Sequence, residues 1–328
     1  MSDAPRLTRR AALAAGLGIA GLSLANMIQL NRSQSTSGSE RSGPRPESTG
    51  QPMEAGAELR PLRLGWSPWA DAEVISLMAK QLIETHLHWP VERVLADIGI
   101  QYASVARGDL DVMLMAWLPL THRDYWTRVR DRVLDLGPMY SGRLGWVVPD
   151  YVDANTMNSI DDLRQPSVAA RFNNQVQGID PGSGLNQLSQ VALKDYNLPD
   201  MRLVASSSAA MTAVLDQAIR EQRWLIVTSW TPHWMFARYK LRFLEDPKRA
   251  FGGTEWIHPI ARQDLSAIAP AVTDFLTRFR IPDAELAQVL LQAHQGTAQA
   301  AVDAYLQRHP ERVRYWVSGA IGPASTAG

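Results

Sequence analysis

With 328 residues and 36.4 kDa the chain is long enough for two lobes around separate cores, since single cores stop growing near about 250–300 residues. Lysine plus arginine equals aspartate plus glutamate at 33 each, so no overall field draws the protein to nucleic acid or to an anionic surface. The lack of any cysteine excludes disulfides, thiolate nucleophiles, iron–sulfur clusters, thiolate zinc sites and a lipid-bearing Cys, whereas 11 Trp against 6 Phe turns attention to the indoles, whose N–H wants a partner when buried.

In chain order, Arg6, Arg9 and Arg10 precede an apolar Ala/Gly/Leu-rich run from Ala11 to about Met27, which predicts a signal or anchor over residues 1–30. The Arg9-Arg10 pair fits a twin-arginine signal that delivers folded protein to the periplasm; Ser23-Leu24-Ala25 offers a cleavage point, and the run is also long enough to persist as a membrane anchor. Residues 31–58, rich in Ser, Gly, Pro, Glu and Arg, read as a disordered linker with nothing to bury, and residues 321–328 as a tail. Between them strands are predicted at 62–66, 91–96, 111–118, 144–148, 176–179, 202–205 and 224–229. Helices are predicted at 72–84, 102–107, 160–163, 185–196, 209–221, 270–280, 283–296 and 299–307. The alternation predicts an α/β chain of mostly parallel sheets covered by helices, and the near-continuous apolar run 111–118 suits a strand buried on both faces.

In open α/β sheets ligands sit beyond the carboxyl ends of strands, which selects residues 66–71, 117–122, 178–184 and 230–233. Trp69, Trp117 and Trp230 fall in three of these four segments. Indole faces attract a cation, and several of them suit a quaternary ammonium, which cannot donate hydrogen bonds and on this reading needs no carboxylate. The fourth segment, Gly178-Ile179-Asp180-Pro181-Gly182-Ser183-Gly184, is a strand-to-helix turn whose backbone N–H groups can receive an anionic end. No Walker loop, G-x-S-x-G elbow or H-E-x-x-H stands in the chain, and His86 and His88 have no partner at metal spacing.

Four motifs in this order, AWLPLTH (116–122), GIDPGSG (178–184), SSSAAM (206–211) and SWTPHWMFARYKLRFLEDP (229–247), resemble the substrate-binding proteins of glycine betaine and related quaternary-ammonium ABC transporters. The resemblance runs from about Leu62 to Trp316 and implies a two-lobed periplasmic-binding-protein-like fold, with 59–147 and 253–320 as lobe 1, 148–252 as lobe 2 and a hinge between them. It implies Trp117 and Trp230 as walls of an aromatic cage. Trp69 followed two residues later by Asp71 matches a pattern of choline-binding relatives, although Asp71 also reads as the cap of a helix starting at Ala72. It places Ile179, by its backbone, and His258 on the carboxylate of the solute, with Ser183 in the same turn, where some relatives carry a Trp. His122 and His233 read as residues that fix their turns, and Leu144 and Ile281 depart from aromatic positions of some relatives. The implied protein is a binding component and not an enzyme, without cofactor or metal. It would pass its solute to a membrane permease and ATPase and touch the membrane only through these and its own signal or anchor. Choline or carnitine as ligand, and a tethered sensory receptor, are the alternatives.

Overall fold

A computed structural model describes residues 60–321. The expected signal and linker, and all but the first residue of the expected tail, lie outside the described residues. The first part of the chain builds β1 (Leu62–Trp66), α1 (Ala70–His86), β2 (Val91–Leu95), α2 (Ile98–Arg107), β3 (Val112–Leu118), α3 (Arg123–Val129) and β4 (Val133–Asp135). A long strand, β5 (Tyr140–Pro149), leads into α4 (Pro166–Arg171), β6 (Gln175–Gln177), α5 (Gly184–Asp195), β7 (Arg202–Val204), α6 (Ser208–Arg220), β8 (Val227–Thr231), α7 (Met235–Arg238) and β9 (Leu241–Phe243). The strand β10 (Glu255–Arg262) then precedes α8 (Leu265–Ile268), α9 (Pro270–Arg278), α10 (Asp283–Gln295), α11 (Ala298–Arg308) and α12 (Pro310–Ser318).

The strands form one curled array in the order β2-β1-β3-β10-β5-β8-β6-β7, with β4 on β10 and β9 on β5. Two parallel half-sheets, β2-β1-β3 and β8-β6-β7, are each built from strand–helix–strand units as the alternation predicts. The expectation of mostly parallel sheets gives way at the centre, where β10 runs antiparallel to β3, β4 and β5, and β5 antiparallel to β8 and β9. The physical reason is the double crossing of the chain: β5 carries it from one half-sheet to the other, and β10 brings it back without a covering helix. β5 changes partners within its length, Ser141 and Gly142 facing β10 and Arg143 to Val147 facing β8. β10 is not predicted from EWIHPIAR because Pro259 interrupts it; in the structure the register on β3 shifts between His258 and Ile260, the irregularity that lets a proline sit in a sheet.

All seven residues of β3 are buried, as their apolar run requires. Helix α1 lays Val74, Ile75, Met78, Leu82 and Ile83 into the core and carries Asp71 and Glu73 in its first turn, where the helix dipole favours anions. It begins at Ala70, with Trp69 in the cap position and no side-chain cap, so Asp71 is not the cap of this helix. The predicted helix at 160–163 is a single 3₁₀ turn, Ile160–Arg164, closed by a reciprocal Ser159–Asp162 capping box. At the base of the first half-sheet the buried Asp111 carboxylate joins three segments: it accepts from Arg60 at 2.6 Å, from the Arg63 N–H at 2.8 Å and from Arg262 at 3.2 Å. The C-terminal helices close over Trp316, whose ring meets Phe279 edge-on at 4.8 Å.

Candidate functional site

β3 and β8 end alike. Each carries a tryptophan two residues before a cis-proline, Trp117-Leu118-Pro119 and Trp230-Thr231-Pro232, so each chain turns away and leaves an indole at the carboxyl end of its half-sheet. A histidine then reaches back to fix each turn. His122 Nδ1 accepts the Trp117 N–H at 3.1 Å, and His233 Nδ1 accepts the Met235 N–H at 3.2 Å while its ring stands edge-on to Trp230 at 4.6 Å. Burial pushes both imidazoles down to about 3, so both are neutral acceptors at physiological pH. The buried Glu255 holds the intervening loop by accepting from the Thr121 N–H at 2.9 Å and from its hydroxyl.

A small cavity of about 20 Å³, room for about one water molecule, lies between the two strand ends. Trp69, Asp71, Trp117, Ile179, Ser183 and Trp230 all line it. Thr121, His122, Leu144, Gly184 and Leu185 complete the wall, Leu144 as the direct cross-strand neighbour of Trp230.

The electrostatics differ from the expected acid-free cage. Asp71 is 1% exposed; its Oδ2 accepts from the Tyr140 hydroxyl at 2.8 Å and its Oδ1 from the Trp230 indole N–H at 3.2 Å. Burial raises its carboxyl above the ordinary range, opposed by these two donors and by the backbone N–H groups of Asp71 and Ala72. Trp69 donates its indole N–H to Asp180 Oδ2 at 2.8 Å, and burial raises this carboxyl too. Among the described residues no lysine or arginine lines the cavity. The arrangement therefore complements a cation with indole faces and one buried carboxylate.

The opposite wall is the start of α5. Ser183 caps the helix, its hydroxyl accepting the Asn186 N–H at 3.1 Å and donating to the Asp180 carbonyl at 2.8 Å. The N–H groups of Gly184 and Leu185, the first two of the helix, have no carbonyl partner among the described residues, and both residues face the cavity. This wall can receive an anion.

His258 is not brought to the cavity, contrary to expectation. In the β10–β3 register it pairs with Ala116 while Ile257 pairs with Trp117, so it points to the sheet face opposite the indole, where its Nδ1 meets Asp135 at 2.7 Å. Sequence reasoning also missed Tyr140, Asp180 and Gly142. A Cβ on Gly142 would lie 2.4 Å from the Trp117 ring, so this glycine makes room for a cage wall. Asp180 stands inside the quoted GIDPGSG motif, which was its available signal; Tyr140 and Gly142 lie on β5 with none.

The profile of the OpuAC family, described as the substrate binding domain of ABC-type glycine betaine transport system, matches residues 60–308. The glycine betaine/carnitine transport binding protein GbuC of Listeria monocytogenes is 37% identical over 152 residues, 45% of this chain, and the match spans 51% of that protein. The glycine betaine/proline betaine-binding periplasmic protein of Escherichia coli is 22% identical over 261 residues, 69% of this chain and 79% of that one. Among solved structures, lactococcal OpuAC in its closed-liganded conformation with glycine betaine superposes with a TM-score of 0.73 at 33% identity, covering 78% of this chain and 99% of that one. The glycine betaine, L-proline-binding protein of Borrelia burgdorferi gives 0.74 at 27% identity, covering 79% and 97%. With these the chain shares a two-lobed periplasmic-binding-protein fold. Among the described residues no helix is long and apolar enough to cross a membrane, and no cluster of His, Asp and Glu is placed to hold a metal.

Proposed function

Because the chain belongs to the family of substrate-binding domains of ABC-type glycine betaine transport systems, we propose that it is the extracytoplasmic receptor of such an importer. It captures glycine betaine or a related quaternary-ammonium solute between its lobes and delivers it to a permease driven by an ATPase. Lobe 1 comprises 59–147 and 253–320 and lobe 2 comprises 148–252. Export follows the twin-arginine route, and the mature protein is free in the periplasm or tethered to the inner membrane.

The observation that carries this reading is the convergence of three indoles from separate strand ends on one small cavity. A trimethylammonium group offers no N–H, so its recognition rests on π faces, each contributing about 0.5–2 kcal/mol and more as water is excluded. Asp71 supplies the countercharge. The carboxylate of a betaine meets the N–H groups of Gly184 and Leu185 at the start of α5, with Ile179 and Ser183 shaping that wall. Trp69, Asp71 and Trp117 come from lobe 1 and Trp230 with the start of α5 from lobe 2, so solute binding favours the closed arrangement. The chemistry is capture and release, with no bond made or broken.

One observation favours a second ligand: the carboxylates of Asp71 and Asp180 at the cage suit a net cation such as choline as well as a zwitterion. Calorimetry with glycine betaine, proline betaine, carnitine and choline ranks them. Betaine binding that Trp117→Ala abolishes is the expected result; no heat with any of the four refutes the assignment.

A further inference from the structure

Two indole hydrogen bonds cross the cleft in opposite directions. Trp69, between β1 and α1, donates at 2.8 Å to Asp180, in the turn between β6 and α5. Trp230, on β8, donates at 3.2 Å to Asp71, in the first turn of α1. Each side thus contributes one tryptophan and one carboxylate. At the rim a third crossing joins α3 to the same turn: the Tyr125 hydroxyl donates to the Gly182 carbonyl at 2.9 Å and accepts from Gln187 Nε2 at 2.7 Å. Trp69 lines the cavity and Asp180 does not, so an effect of Asp180 on the solute has to pass through the ring of Trp69.

We propose that Asp180 is a positioning residue for solute capture: by holding the Trp69 N–H from the opposite lobe it fixes the plane of that cage wall only while the lobes are together, so that completing the cage and latching the cleft are one event. An indole N–H donated to a carboxylate is a charge-assisted bond, stronger than a neutral one. When the lobes part, Trp69 loses this acceptor and its ring regains its torsional freedom. Solute and latch favour the same arrangement, which makes their effects cooperative. The proposal rests on the cavity being the solute site.

The test uses the full chain, whose lack of cysteine lets Thr127→Cys and Ala213→Cys, exposed on α3 and α6, carry a fluorescent donor and acceptor that report lobe separation. Asp180→Ala is expected to raise the dissociation rate of glycine betaine about tenfold or more while the association rate changes little, and to shift the solute-free population towards separated lobes. Trp69→Phe, which keeps an aromatic face and deletes the N–H, should show a similar loss, and Asp180→Ala added to it should cost little more. Asp180→Asn keeps a carbonyl acceptor and guards against a folding defect; it should lie between wild type and Asp180→Ala. Losses that multiply independently in the double variant, or a wild-type dissociation rate in Asp180→Ala, overturn the proposal. Should wild type bind no quaternary ammonium, the functional reading falls by itself, and the lobe separation without solute still decides the latch: no difference between Asp180→Ala and wild type overturns it.

Discussion

Replacing Gly142 by alanine asks whether a residue outside the cavity sets the cage. A Cβ there would stand 2.4 Å from both Cη2 and Cζ3 of Trp117 and 2.8 Å from the Thr231 carbonyl oxygen. The carbonyl belongs to β8, paired with β5 at Arg143–Thr231, and is fixed by the sheet, so the indole has to yield. Overpacking of this kind costs about 1–3 kcal/mol, which for a domain of this size lowers Tm by about 2–12 °C. A displaced Trp117 loses its share of the cation interaction, about 0.5–2 kcal/mol, equivalent to a Kd about 2- to 30-fold higher. Titration calorimetry and thermal melts, with and without glycine betaine, measure both. Gly182→Ala is the control, because nothing lies within 4 Å of a Cβ at that position. A Gly142→Ala protein with wild-type affinity and a Tm within about 1 °C of wild type would refute the reasoning.

Gly184→Ala drives a Cβ to 2.5 Å from the Thr121 carbonyl and methyl, contacts that exist only with the lobes together; betaine binding should weaken about tenfold or more while the solute-free Tm stays near wild type, and an unchanged Kd counts against the closed geometry. Asp71 has a raised carboxyl and a bound cation favours its ionised form, so affinity should be full above that raised value and fall as pH drops through it, with proton release on binding. Calorimetry in buffers of different ionisation enthalpy detects the proton, and its absence together with constant affinity through acid pH rejects the countercharge role. His122 and His233 are held at about 3 against an ordinary 6.5, so the unfolded chain binds more protons between those values and stability falls as pH drops below about 6.5. The slope approaches about 1.4 kcal/mol per pH unit for each histidine, to order of magnitude, and His233→Gln should flatten it. Urea midpoints unchanged between about pH 6.5 and 5 would contradict this.

The strand–helix units were legible because periodicity and strand ends carry them: β1 is found at its predicted bounds, and α1, α5 and α6 within about two residues. What the sequence concealed was set by tertiary pairing. β10 hides behind Pro259, α3 and β4 are too short to show a period, and β5 reads only in its second half because its first residues, Tyr140 to Gly142, pair across the crossing. Trp117 and Trp230 stood out as tryptophans before prolines at strand ends. His258 could not be rejected from its motif, since a single step of register decides which sheet face it takes. Nor could the partners of the indoles be read, because Trp69 and Asp180 are 111 residues apart, and Trp230 and Asp71 159.

β5 hands over from β10 to β8 between Gly142 and Arg143, directly beneath the ring of Trp117. On the proposed function, a swing of one lobe against the other would be absorbed where β5 and β10 cross, so the wall that meets the solute would rest beside that pivot. Reshaping that wall to admit a bulkier guest would retune the swing, and an altered swing would redraw the guest list.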